Sequence, residues 1–309
     1  MPVVAIVGGT SSIGRAVLDG IQERGTHTAV VFSRKYSEEV EQEIGARLIA
    51  ADYDNVTSLV KLLEDNNVET VISGTNNFTG GHAEINLIRA SELSSVTKRF
   101  IPSVWGFRYG SAHSHFPPAM PKMASEKELE ETSLEWTAVC LGFFLDYFGM
   151  PKVKSHLQPV TMAIDVVAAK AAIPGDGDVP GAFAYSQDVG KFVAALLTLP
   201  NWEKESYIIG DKLTWNECLK LAEDARGTKF DVTYDSIELM KSGKVTELPG
   251  HVPDYAYYPK EQVQAIVAGF QLLFEEGHLD FKPKQTLNDL FPDIRAVTAK
   301  EMFEMGWKA

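Results

Sequence analysis

Residues 3–18 read VVAIVGGTSSIGRAVL, and this stretch constrains the fold more than any other. An apolar run (Val3, Val4, Ala5, Ile6, Val7) stops at Gly8-Gly9. A helical pattern starts at once, with Ile13, Val17 and Ile21 four apart and Leu18 beside them. A buried strand that turns sharply into a helix predicts the phosphate-binding turn of a dinucleotide fold. Gly8 permits the tight turn, a small residue at Ser11 lets backbone approach a pyrophosphate, and Gly14 lets the helix pack on the strand. The N–H groups of the helix start, at the positive end of its dipole, then face the phosphates. The common pattern has glycine where this chain has Ser11; serine is still small, and its hydroxyl donates to a phosphate oxygen. Thr10, Ser12 and Ile13 complete the expected turn.

Downstream, strand and helix signals alternate. Residues 29–33 and 47–51 read as strands, Val56, Leu59, Val60 and Leu63 as a helical face, and 69–73 as a fourth strand. Ala83, Leu87 and Ala90 mark a helix leading into Arg99-Phe100-Ile101-Pro102, and 137–141 is a further apolar strand. This rhythm predicts an α/β, Rossmann-type doubly wound parallel sheet. The second half is less regular. Residues 160–172 are ambiguous between helix and strand, and 174–178 (PGDGD) form a turn. Val189, Phe192, Val193, Leu196 and Leu197 form an amphipathic helix, as do Val263, Ile266, Val267 and Phe270. Capping boxes start at Thr214 (with Glu217) and Thr298 (with Glu301). The expected organisation is a dinucleotide-binding domain over 1–150, to which 181–200 returns. A smaller, interleaved C-terminal α/β substrate domain takes 151–180 and 201–309.

A formal net charge of −13 argues against nucleic acid or an anionic membrane as main partner. The two cysteines, Cys140 and Cys218, lie in apolar or helical patterns and read as buried thiols in a reducing compartment. The chain enters its first strand directly after Met-Pro, and no apolar run is long enough to span a membrane. The expectation is a cytoplasmic monomer or homodimer acting on a small molecule.

Where the second strand ends, NAD-binding folds place a carboxylate for the ribose diol. This chain has Ser33, Arg34 and Lys35. Two cations and a hydroxyl suit a 2′-phosphate, so NADP(H) is the expected cofactor. Asp52-Tyr53 after the third strand are placed to frame the adenine, and Ser73-Gly74-Thr75 after the fourth to pass under the pyrophosphate and ribose.

Lys98-Arg99-Phe100-Ile101-Pro102-Ser103 resembles the KRF-x-PS segment of isoflavone reductase-like and NmrA-like proteins, which are atypical short-chain dehydrogenases. The resemblance runs from the glycine turn through residues 134–137 and 143–148, and on through 186–190 to the helix at Thr214. It implies a lysine ahead of the 137–141 strand that holds the nicotinamide ribose and assists proton transfer; the register places it at Lys122. A lysine there stabilises developing negative charge. The resemblance also brings Gly142 and Phe143 to the cofactor. The Tyr-x-x-x-Lys pair of ordinary short-chain dehydrogenases is absent, because Pro118 stands four before Lys122. The branch also typically reads PSEFG where this chain has Pro102-Ser103-Val104-Trp105-Gly106, so its substrates do not carry over.

The loop ahead of Lys122 holds Trp105, Phe107, Tyr109, His113, His115 and Phe116. An aromatic loop there suits a flat, apolar substrate. Tyr109, His113 and His115 are each candidates to replace the missing tyrosine as acid, and Trp105, Phe107 and His115 to line the substrate site. His-x-His lacks further ligands at metal-binding spacing, so no metal is expected. Phe144 and Tyr147 are candidates for substrate contact or core, and 249–259 for a lid or a packed loop. These features point to an NADPH-dependent reductase of a small aromatic or apolar metabolite, of secondary-metabolism type. The alternatives are a cofactor-retaining isomerase, cyclase or dehydratase, and a dinucleotide-sensing regulator.

Overall fold

A computed structural model describes residues 1–75, 81–114 and 116–308. The chain clusters into two compact units. The first comprises Met1–Cys140, Ser186–Ile208 and Gln285–Arg295; the second comprises Leu141–Tyr185, Ile209–Lys284 and Ala296–Ala309.

The first unit is built on a six-stranded parallel sheet. Its strands are β1 (Val3–Val7), β2 (Thr28–Ser33), β3 (Arg47–Ala50), β4 (Val68–Ser73), β5 (Arg99–Ile101) and β6 (Glu135–Trp136). Their spatial order is β3-β2-β1-β4-β5-β6, and each neighbouring pair is parallel. The order reverses between β1 and β4, and ligands of such sheets bind beyond the carboxyl ends at that switch point. Val4 to Val7 are almost fully buried, as expected of a strand covered by helices on both faces. The helices are α1 (Ser12–Arg24), α2 (Glu38–Ile44), α3 (Val56–Asp65), α4 (His82–Leu93) and α5 (Ala119–Glu130). Gly25 and Gly45 end α1 and α2 in the left-handed conformation, which glycine adopts without a Cβ penalty.

The returning helix Ser186–Leu196 packs on α1 at a glycine crossing. A Cβ on Gly20 would lie 2.3 Å from Gly190 backbone, and one on Gly190 would lie 2.0 Å from the Ala16 carbonyl oxygen. The strand expected over 137–141 is present as Ala138–Cys140, which pairs in parallel with Glu205–Tyr207; the sixth strand of the sheet, Glu135–Trp136, lies just before it. Thr137 stands at the change of partner: its N–H donates to Phe100 O at 3.3 Å, and its hydroxyl meets that of Ser206 at 2.8 Å.

In the second unit, Lys170–Pro174 pairs in parallel with Asp231–Asp235 and antiparallel with Ile164–Asp165. The ambiguous stretch 160–172 thus resolves as a two-residue strand, a turn over 166–169 and the start of a second strand, with no helix. Gly181–Ala184 runs antiparallel to Asp211–Leu213 and parallel to Phe143–Phe144. The latter pairing explains why the first boundary falls after Cys140 rather than at 150. Residues 141–150, expected in the first domain, hold the strand Phe143–Phe144 and the short helix Asp146–Gly149 and fall in the second unit, and 285–295 returns to the first without a sequence signal. Thr214 and Thr298 each cap their helix by accepting from the backbone N–H of Glu217 and Glu301, with the carboxylates reciprocating, as their spacing predicts.

Candidate active site

The turn after β1 is shaped by three glycines that touch. Gly8 has φ +77°, and a Cβ on it would lie 2.7 Å from Gly74 O. A Cβ on Gly14 would lie 2.4 Å from Gly8 O, and one on Gly74 would lie 3.0 Å from Val7 O. Gly74 donates to Val7 O at 2.8 Å. The carboxyl ends of β1 and β4 and the first turn of α1 therefore meet with no room for side chains. Ser11 is exposed, extended at φ −158°, and makes no side-chain cap to α1, so its hydroxyl is not spent on the helix start. Ser12 takes φ +54°, uncommon for a non-glycine residue and a form of strain that collects at ligand sites. Ile13 is buried; its side chain belongs to the core, leaving only its backbone to face a ligand. Thr10 is half-buried.

At the end of β2, Arg34 and Lys35 are exposed, and the Lys35 N–H lies 3.5 Å from Ser33 Oγ. Asp52 is engaged by its own turn, accepting from the Asp54 N–H at 3.1 Å. Asn86 ties down the next residue by donating to Tyr53 O at 2.9 Å. The Tyr53 hydroxyl is buried without a hydrogen-bond partner among the described residues. Burial pushes it well above its ordinary range, and the nearby Arg34 guanidinium pulls the other way. An orphaned hydroxyl near an exposed arginine, at the carboxyl end of the same parallel sheet as a turn that a Cβ would fill, fits the phosphate and adenosine end of a dinucleotide.

The ends of β4 and β5 are cross-linked by hydrogen bonds. Ser73 and Thr75 hydroxyls lie 2.9 Å apart, Ser103 Oγ donates to Thr75 O at 2.8 Å, and the Trp105 indole donates to Ser73 O at 2.8 Å. Trp105 is buried with φ +27°; it is a strut between strand ends. Lys122 lies in the first turn of α5, and its Nζ donates to Val104 O at 2.7 Å. Burial lowers its pKa to about 8, opposed by the Glu84 and Glu126 carboxylates. Tyr109 lies with its ring centroid 5.9 Å from Lys122 Nζ. Burial raises the Tyr109 hydroxyl above its ordinary range, so it stays protonated at neutral pH.

Phe107, Tyr109, His113 and Phe116 form one aromatic cluster, with Phe107 and Tyr109 centroids 4.3 Å apart and Tyr109 and His113 5.8 Å apart. His113 Nδ1 accepts from the Gly110 N–H at 2.8 Å, which fixes the ring proton of the neutral form on Nε2. His115 lies outside the described residues.

Gly142, Phe143, Phe144 and Tyr147 belong to the second unit. Gly142 has φ +79°, and a Cβ there would lie 1.9 Å from Ala182 O. Phe143 lies among Phe148, Phe183, Trp215 and Phe274 at 6.0–6.2 Å; its ring is core. Phe144 and Tyr147 are half-buried, 6.1 Å apart. The 249–259 tract contains a 3-10 helix, Pro249–Ala256, around a buried His251. Both cysteines are free and buried. Among the described residues, no group of three His, Cys, Asp or Glu side chains is placed to hold a metal, and no helix is long and apolar enough to cross a membrane.

Glu84 was missed by sequence reasoning. Its helix shows an apolar face at Leu87 and Ala90, and nothing in that pattern marks a buried carboxylate one turn earlier. Its burial depends on Ser103 and Ser125, which are distant in sequence.

The NmrA-like family model matches residues 2–303. Oxidoreductase BOA1 of Botryotinia fuckeliana is 33% identical, covering 94% of this chain and 95% of its own. Oxidoreductase swnN of Metarhizium robertsii is 30% identical, covering 99% and 98%. Among solved structures, AtPrR2 with NADP+ and (+)pinoresinol gives a TM-score of 0.74 at 22% identity over 98% of each chain. The binary complex of leucoanthocyanidin reductase with NADPH from Vitis vinifera gives 0.73 at 18% identity over 98% of each. With the parallel sheet and its glycine turn in place, a family match over nearly the whole length and two full-length relatives at 30% identity or more establish that this chain belongs to the NmrA-like family.

Proposed function

We propose that this oxidoreductase of the NmrA-like family is an NADPH-dependent reductase of a small aromatic or apolar metabolite. The observation that carries the reading is the Gly8–Gly14–Gly74 cradle at the switch point, with Lys122 anchored on the turn after β5. In this reading Gly8, Thr10, Ser11, Ser12, the Ile13 backbone and Gly14 hold the pyrophosphate. Arg34 and Lys35 take the 2′-phosphate beside Ser33, Asp52 and Tyr53 frame the adenosine, and Ser73 to Thr75 line the ribose. Bound NADPH supplies a hydride to a C=C, C=O or C=N group. Lys122 presents a positive charge to the substrate atom that becomes electron-rich, and Tyr109, whose ring centroid lies 5.9 Å from Lys122 Nζ, is the proton donor of this reading. Phe107 and its aromatic neighbours suit a flat substrate. The names of the relatives and the ligands in the titles of the solved structures support the reductase class and the cofactor.

The test is a titration of the purified protein with NADPH and NADH, followed by cofactor oxidation assays over a panel of aromatic enones, aldehydes and imines. The expected result is NADPH binding at least about tenfold tighter than NADH, from a charge-assisted contact of roughly 1.5–3 kcal/mol. Turnover should fall by about a hundredfold or more in Lys122→Ala. Equal affinity for the two cofactors overturns the 2′-phosphate assignment. Turnover unchanged by Lys122→Ala overturns the mechanism, and tight binding with no turnover across the panel favours a dinucleotide sensor.

A further inference from the structure

Glu84 is 1% exposed and lies in the first turn of α4. A carboxylate taken out of water is costly unless its oxygens are satisfied. One oxygen of Glu84 accepts from the Ser103 N–H at 2.7 Å, and the other accepts from Ser125 Oγ at 2.7 Å. Ser103 lies on the turn after β5. Ser125 lies on α5, three residues after Lys122, which puts the two side chains on neighbouring positions of one helix face. The Lys122 ammonium donates to Val104 O on that same turn at 2.7 Å. Lys122 is thus held at both ends by elements that Glu84 joins: its helix through Ser125, and its ammonium's acceptor through Ser103.

We propose that Glu84 is the positioning residue for Lys122, locking α5 to the turn after β5 and supplying a countercharge to the ammonium. Among the described residues, the groups facing Lys122 are Glu84 from α4, Glu126 from its own helix, and the Tyr109 ring from the preceding loop. Glu126 shares its charge with Arg108 at 2.9 Å, an arginine that also lies within 4.0 Å of Glu130 and 3.7 Å of Glu205. Glu84 accepts from the Ser103 N–H and the Ser125 hydroxyl, and these two bonds orient its carboxylate. The inference deepens the reading of Lys122 as the working lysine and rests on it.

The experiment is competitive labelling of the full chain with trace acetic anhydride across pH, with acetylation at Lys122 read by peptide mass spectrometry. Circular dichroism monitors the fold. Glu84→Gln keeps the shape and both hydrogen bonds, since the amide oxygen accepts from the Ser103 N–H and the amide N–H donates to Ser125 Oγ, but it removes the charge. The expected result is a labelling midpoint about one pH unit lower, the loss of one nearby opposite charge. Ser125→Ala keeps the charge and cuts the tie to α5; its midpoint should stay and its labelling rate should rise several-fold. An unmoved midpoint in folded Glu84→Gln overturns the proposal, and so does a shift in Ser125→Ala as large as in Glu84→Gln. If Glu84→Gln does not fold, an unchanged labelling rate in Ser125→Ala overturns the anchoring. Labelling needs neither cofactor nor substrate, so a failure of the contact between Glu84 and Lys122 is read separately from a failure of NADPH to bind, which would overturn the proposed function.

Discussion

At the scale of single residues, Lys122 couples stability to chemistry. Its pKa in the folded chain is about 8 against an ordinary 10.5. Below pH 8 both folded and unfolded chains hold the proton, and the burial penalty is felt in full. Between about 8 and 10.5 the unfolded chain binds the proton more tightly, so stability from this group rises with pH. Urea titrations of the wild-type chain and Lys122→Met at pH 7 and 9.5 check this: the difference in unfolding free energy between them should move in favour of the wild type by about 2 kcal/mol from the lower pH to the higher. A difference that stays the same at the two pH values would show that burial does not lower the Lys122 pKa. Catalysis that uses the ammonium should decline as pH rises through about 8, visible in a pH–rate profile. At the other end of the proposed site, Arg34→Ala should weaken NADPH by about 10- to 100-fold and leave NADH unchanged, which a fluorescence titration reads directly.

At the scale of elements, the approach of α1 to the sheet depends on missing side chains. The Cβ of Gly14→Ala would meet Gly8 O at 2.4 Å, so the turn or the helix must move. The expected outcome is NADPH affinity reduced at least about tenfold while the far-ultraviolet spectrum stays helical; tight binding in that variant would remove the cradle from the argument. Gly190→Ala acts on packing alone, because its Cβ would lie 2.0 Å from Ala16 O. It should destabilise the protein by about 2–3 kcal/mol, as a lower melting temperature. The glycines of the first turn were legible because strand, turn and helix are adjacent in sequence. The crossing at Gly20 and Gly190 was not, since it joins residues 170 positions apart whose local patterns are ordinary helix.

At the scale of the whole molecule, the chain passes between its two units five times, after residues 140, 185, 208, 284 and 295. The first unit is therefore incomplete at Cys140. It needs the helix Ser186–Leu196 on α1 and the strand Glu205–Tyr207 against Ala138–Cys140. A fragment of residues 1–140 is expected to lack a cooperative thermal transition, whereas the full chain shows one. A sharp transition in the fragment, followed by circular dichroism, would show that the returning segments are dispensable.

The alternation of apolar runs and amphipathic helices by itself determined the parallel α/β sheet, its glycine turn and the two capping boxes, because each is encoded over a few neighbouring residues. The cations after β2 stood out by their place at a strand end, and Lys122 only through the register that the family resemblance supplied; the roles of both are proposals. Only the tertiary structure decided that Glu135–Trp136 and Ala138–Cys140 pair with different partners, that Trp105 is a strut, that Phe143 is core, and that Glu84 is buried against the turn that holds Lys122. The physical reason is the same in each case: burial and pairing are properties of what the fold brings alongside a residue, and those neighbours lie tens of positions away in the chain.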